Sequence, residues 1–158
     1  MHAQQKSQEQ GKLVEITIKG NTIRGNLSIP DGAEGIVLFA HGAGSSRHSS
    51  RNNFVAEKLR DGQLATLLID LLTLEEKEVD RQTRELRFDI DRLQERVIGA
   101  VDWLSDRAET NELAPGVFGS STGAAGALIA AAERPETVQA AVSRGGRVDL
   151  AESRLPEV

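Results

Sequence analysis

Cysteine is absent from the 158 residues, which excludes a disulfide framework and a thiolate metal site and leaves a reducing compartment open to the chain. Neither sign of charge dominates. Nineteen basic and 24 acidic side chains leave a net charge of −5 with no run of either sign, so neither a nucleic-acid nor an anionic-membrane partner is expected. No apolar stretch approaches the roughly 20 residues of a membrane helix. Histidine is confined to His2, His41 and His48, which form no pair at helical spacing; no metal and no cofactor is expected. Met1 to Gly11 is polar and lacks the apolar core of a signal peptide. It reads as a flexible leader (residues 1–11) to one domain over residues 12–158, a length suited to a single core, and a cytoplasmic location is expected.

What is present is an alternation of strands and helices. Val14, Ile16 and Ile18 alternate with polar residues, as do Ile23, Leu27 and Ile29, and Gly20-Asn21 between them signals a tight turn. The pair predicts an antiparallel hairpin. Ile36 to Ala40 and Ala65 to Leu71 are continuously apolar, as strands covered on both faces should be. Asn52 or Asn53 is placed to cap a helix carrying Phe54, Val55 and Leu59 and ending at Gly62. Thr73 to Arg87 is a polar, charged segment. A clear helix follows, with Ile90, Leu93, Val97, Ala100, Val101 and Leu104 on one face and Trp103 packing beside it. A last strand is expected over Val138 to Ser143.

Two segments carry chemistry. Gly116 to Phe118 runs as a strand into Gly119-Ser120-Ser121-Thr122-Gly123 and then into a small-residue helix that Pro135 ends. A Gly-x-Ser-x-Gly turn between strand and helix strains the central residue and lifts its hydroxyl clear of the sheet, which makes Ser121 a candidate nucleophile. Gly119 and Gly123 are required because side chains there would strike the adjoining helix or strand. The Thr122 amide opens the helix, where unpaired N–H groups and the positive dipole end suit an oxyanion. The second segment, His41-Gly42-Ala43-Gly44-Ser45-Ser46, follows a buried strand, where open α/β sheets bind ligands.

A hairpin, alternating strands and helices, His-Gly-x-Gly after one strand and Gly-x-Ser-x-Gly after a later one together resemble an α/β-hydrolase. The residues at 41–53, 119–126 and 143–150 are similar to the dienelactone hydrolase-like branch. The resemblance implies a three-layer α/β/α sandwich, with a mostly parallel sheet of about six strands and an N-terminal antiparallel hairpin. It also implies an oxyanion hole from the amides of Ala43 and Thr122, with Gly42 or Gly44 as substitutes. That family places its acid and histidine on loops after strands that follow the nucleophile helix, whereas no histidine here lies beyond His48. By that comparison the fold is truncated before both.

Ser121 must then recruit another base or stay idle. His48, in a loop expected to approach the same end of the sheet, is the candidate base. His41 is expected chiefly to hold the oxyanion loop. Asp149 is placed where some relatives supply an acid, Asp70 reads as a loop anchor, and Ser120 should point away from Ser121. His41, Gly42, Gly44, Arg47, Arg144 and Asp149 are candidate substrate contacts. The expected function is a serine hydrolase acting on small esters or lactones through an acyl-enzyme on Ser121, weak for want of the usual acid and histidine. The alternative is a catalytically silent remnant that binds a ligand or another chain. A fragment of a longer parent is the third reading. An open edge at Ala140 to Val142 predicts a homodimer through that edge or through packed half-sheets.

Overall fold

Alternation sets the first two strands. In a computed structural model, which describes residues 11–157, β1 (Lys12–Ile18) and β2 (Asn21–Ser28) pair antiparallel. Val14, Ile16, Ile18, Ile23 and Leu27 all face the core. The connecting turn is Lys19-Gly20, not Gly20-Asn21. Both residues have positive φ (48° and 81°), the geometry whose twist suits a two-residue hairpin, and Asn21 already pairs with Ile18. The leader expected over residues 1–11, with His2, lies outside the described residues except for Gly11.

Four strands then run parallel to one another: β3 (Gly35–Ala40), β4 (Ala65–Ile69), β5 (Ala114–Ser120) and β6 (Ala140–Arg144). β2 joins β4 antiparallel, and the sheet order is β1-β2-β4-β3-β5-β6. The chain leaves β3 toward β4 on one side and returns to pair β5 on the other. Such a reversal opens a crevice at the carboxyl ends of the strands, and both chemical segments end there.

The sheet's two faces divide the core. On one side Val37, Phe39, Leu68 and Phe118 meet Val55, Ala56 and Leu59 of α1 (Ser50–Asp61), with the Phe39 and Phe118 rings 5.0 Å apart. On the other, Ile36, Leu38, Leu67, Ile69 and Val117 meet α3 (Ile90–Asp106) and α4 (Thr122–Glu133). All six apolar positions expected on the inner face of α3 belong to or pack on this core. Trp103 packs against it and lies under the Arg107 guanidinium, 4.4 Å from the ring centre. A 3-10 segment, Val148–Glu157, lays the buried Ala151 against Ala125, Leu128 and Ile129 of α4.

A further local expectation is corrected. The cap of α1 is Ser49, whose hydroxyl accepts from the Asn52 N–H at 3.3 Å; Asn52 is buried and used elsewhere, and Asn53 donates its amide to the carbonyls of Arg47 and Ser49. Within the polar, charged segment from Thr73 onward lies α2 (Leu74–Thr83), followed by a 3-10 turn at Leu86–Phe88. Its start is a capping box: Thr73 Oγ1 accepts from the Glu76 N–H and the Glu76 carboxylate accepts from the Thr73 N–H. Glu76 also receives Arg96, which is buried, through both guanidinium ends (2.7 and 3.0 Å), and Arg92. This cluster clamps α2 to α3 beside the crevice. No helix of the described residues is long and apolar enough to cross a membrane.

Candidate active site

Ser121 stands between β5 and α4 at φ 54°, ψ −122°. For a residue with a Cβ this backbone costs about 1 to 3 kcal/mol and persists only where the surroundings impose it. They do so from three directions. The Ser121 N–H donates to the Arg144 carbonyl (3.3 Å), and its carbonyl accepts from the N–H groups of Ala124 (3.1 Å) and Arg147 (3.0 Å). A Cβ on Gly119 would lie 2.4 Å from Ala124 Cα, and one on Gly123 would lie 2.3 Å from the His41 carbonyl oxygen. Glycine at both positions therefore lets α4 start hard against β5 and β3, as the sequence reading required.

Opposite the serine is the loop after β3. A Cβ on Gly42 would sit 3.1 Å from Ser121 Cβ and 3.8 Å from its Oγ, so the loop backbone passes directly beside Ser121. His41 holds this loop. Its Nε2 accepts from the Leu71 N–H (3.0 Å), which leaves the proton on Nδ1, 2.8 Å from the Gly42 carbonyl. The ring is buried and neutral, with burial holding its pKa below the ordinary histidine value. Both nitrogens are engaged within the fold, so neither is free to act as a base.

Gly42, Ala43, Gly44 and Thr122 line a cavity of about 230 Å³, with Leu71, Leu72 and Leu93 as its apolar part and Lys77, Arg81 and Arg87 among its polar residues. Ser121 is half-buried and flanked by two of these lining residues, Gly42 and Thr122. Asp70 anchors the far end of the loop: its buried carboxylate accepts from the Arg47 N–H (2.9 Å) and pairs with the Arg47 guanidinium (2.6 Å) and Lys77 (2.8 Å). Burial works against its charge, but the Arg47 N–H and Lys77 outweigh it and keep the carboxyl below its usual range.

Other candidate residues are placed elsewhere. The structure does not bring His48 into hydrogen-bonding contact with Ser121. It is exposed in a separate groove with Asn26, Asn53 and Phe54, its N–H donating to Ser46 Oγ. Arg47 is committed to Asp70 and Asn26. Asp149 faces solvent in a two-pronged pair with Arg147 (3.1 and 3.0 Å), whose guanidinium lowers its pKa. Arg144 lies on the α1 side, where its guanidinium donates to Ser120 Oγ (3.3 Å), and Ser120 Oγ donates to Asn52 Oδ1 (3.0 Å). Ser120 thus points away from the site, as expected. The buried Asn52–Ser120–Arg144 linkage beneath the elbow escaped the sequence reading, because an asparagine at a helix start looks like a cap. Among the described residues no cluster of three or more His, Asp or Glu could hold a metal.

No family model matches the chain. A crystal structure of dienelactone hydrolase from Anabaena variabilis is 60% identical and superposes with a TM-score of 0.91, over 94% of this chain and 70% of that one. The chain belongs to the dienelactone hydrolase-like family of α/β-hydrolases. Two strains of Mycobacterium tuberculosis carry a protein, provisionally named a phosphoribosyl transferase, that is 50% identical over 136 residues; this hydrolase-like chain spans 86% of its own length there and 30% of theirs. An α/β serine hydrolase homologue from Coxiella burnetii, 14% identical with a TM-score of 0.72 over 90% of this chain and 67% of that one, shares the fold.

His41 gives a pH test. A histidine whose folded pKa is depressed adds stability that is fully present above its unfolded value, about 6.5, and is lost as pH falls through the folded value. His41→Phe is expected to cost about 2 kcal/mol at pH 7.5, from two lost hydrogen bonds. Urea unfolding should show the gap between variant and wild type narrowing below pH 6.5, and a gap constant with pH would contradict the neutral, doubly bonded ring.

Proposed function

We propose that this chain is a serine hydrolase of small esters or lactones that forms an acyl-enzyme on Ser121. One observation carries the reading: a serine held at φ 54°, ψ −122° with Gly42 and Thr122 on either side of it. Ser121 Oγ attacks the carbonyl carbon, the carbonyl electron pair moves to oxygen beside the amides of Ala43 and Thr122, and collapse expels the alcohol. A backbone donor of this kind stabilises the transition state by about 3 kcal/mol. His41 is doubly bonded and His48 lies in another groove, so in this chain the serine proton leaves to solvent, and turnover is weak. A cytoplasmic setting is part of this reading, and the cysteine-free composition permits it. With p-nitrophenyl acetate, stopped-flow absorbance should show a burst of one p-nitrophenol per chain and then slow turnover. The burst rate should rise with pH without an inflection near 6.5, persist in His48→Ala and vanish in Ser121→Ala. A burst that survives loss of Ser121 would refute the assignment.

A second reading, association with another copy, is favoured by the outer edge of β6. Among the described residues β6 pairs with β5 alone, and Val142 is 49% exposed. Antiparallel pairing of two such edges about Val142 sets Ala140 opposite Arg144 and Ala141 opposite Ser143, with valines at the centre and no like charges facing. Sedimentation velocity at micromolar concentration should give a dimer that Val142→Lys dissociates; a monomer at all concentrations would end this reading.

A further inference from the structure

Thr122 holds the one buried threonine hydroxyl among the described residues that has no hydrogen-bond partner. Thr66 accepts from Arg60, Thr73 from the Glu76 N–H, and Thr110 donates to the Leu104 carbonyl at 2.7 Å. Thr122 is 2% exposed, and its Oγ1 is enclosed and unpaired. An unsatisfied buried hydroxyl costs about 1 to 3 kcal/mol and calls for a physical reason.

The reason lies in its position. A threonine within a helix usually returns its hydroxyl to a carbonyl three or four residues back, and its χ1 splits between two rotamers on that account. Three and four residues before Thr122 are Gly119 and Phe118, both in β5, where they pair with Ser143 and Val142 of β6 and with β3. The elbow therefore removes the usual acceptor. Turning about Cα–Cβ breaks no hydrogen bond, and Thr122 lines the cavity together with Gly42 and Ala43.

We propose that the Thr122 hydroxyl is a third donor of the oxyanion hole, beside the amides of Ala43 and Thr122 itself. The inference rests on the acyl-transfer reading above. When Ser121 Oγ bonds to the carbonyl carbon and the electron pair moves to oxygen, Thr122 O–H donates a hydrogen bond to that oxygen and keeps its proton. The group is unpaired in the free protein and paired in the transition state, so it favours catalysis at the expense of stability.

Thr122→Val keeps the shape and removes the hydroxyl; Thr122→Ser keeps the hydroxyl. The p-nitrophenyl acetate burst and thermal unfolding are measured for both. The valine variant should melt at the same or a higher temperature, lose about 100- to 1,000-fold in burst rate and keep its KM, as befits an interaction made only in the transition state. The serine variant should stay within a few-fold of wild type. A valine variant that acylates like wild type, a serine variant that falls as far as valine, or a lower melting temperature for valine would each overturn the proposal while leaving a reactive Ser121 standing. Absence of a burst from wild type would instead remove the hydrolase reading, and this role with it.

Discussion

Everything at the carboxyl end of the sheet depends on one strained backbone. Ser121 occupies a conformation that an L-residue adopts only under constraint, and the constraint is steric before it is polar. Because Gly119 and Gly123 have no Cβ, α4 begins in contact with β5 and with the last carbonyls of β3. The chain between them has room for a single sharp turn, and three backbone hydrogen bonds close it: one to the Arg144 carbonyl at the end of β6, one from Ala124 in α4 and one from Arg147 in the loop after β6. An alanine at either glycine would displace the start of α4, and with it the Thr122 amide, the Thr122 hydroxyl and the serine itself.

The loop opposite is held by charge and by a neutral ring. Asp70 reaches it from the end of β4 through Arg47, and His41 ties its first turn to Leu71. These contacts join residues 23 and 30 positions apart in the chain, so the loop is positioned by its neighbour in the sheet, with its Gly42 backbone beside the serine. The Glu76 cluster does the same for α2, whose Lys77 completes the Asp70 pair. The site is therefore one mechanical unit in which the elbow, the glycine loop and α2 brace one another around a cavity with an apolar wall of leucines and a charged rim.

Much of this was legible in the residues. Periods of two at Val14, Ile16 and Ile18, and steps of three and four from Ile90 to Leu104, are local signals, and they marked the hairpin and α3. Gly-x-Ser-x-Gly marked the elbow because its meaning is steric and local. α2 was hidden by its charge: a helix whose buried residue is Asp80 has no apolar stripe to read, although the threonine and glutamate of its capping box stood in view. Where His48 points was not legible, since its loop is directed by the Arg47–Asp70 contact across the sheet. The unpaired state of Thr122 follows from which carbonyls β5 has already used, a matter of strand pairing that no spacing reveals.

The most direct measurement is labelling with a fluorophosphonate probe, followed by peptide mass spectrometry to locate the adduct. A strained serine beside the proposed oxyanion hole predicts one phosphonate per chain, on Ser121. A chain left unlabelled at saturating probe, or labelled at random among its serines, would contradict the claim that this elbow is chemically competent.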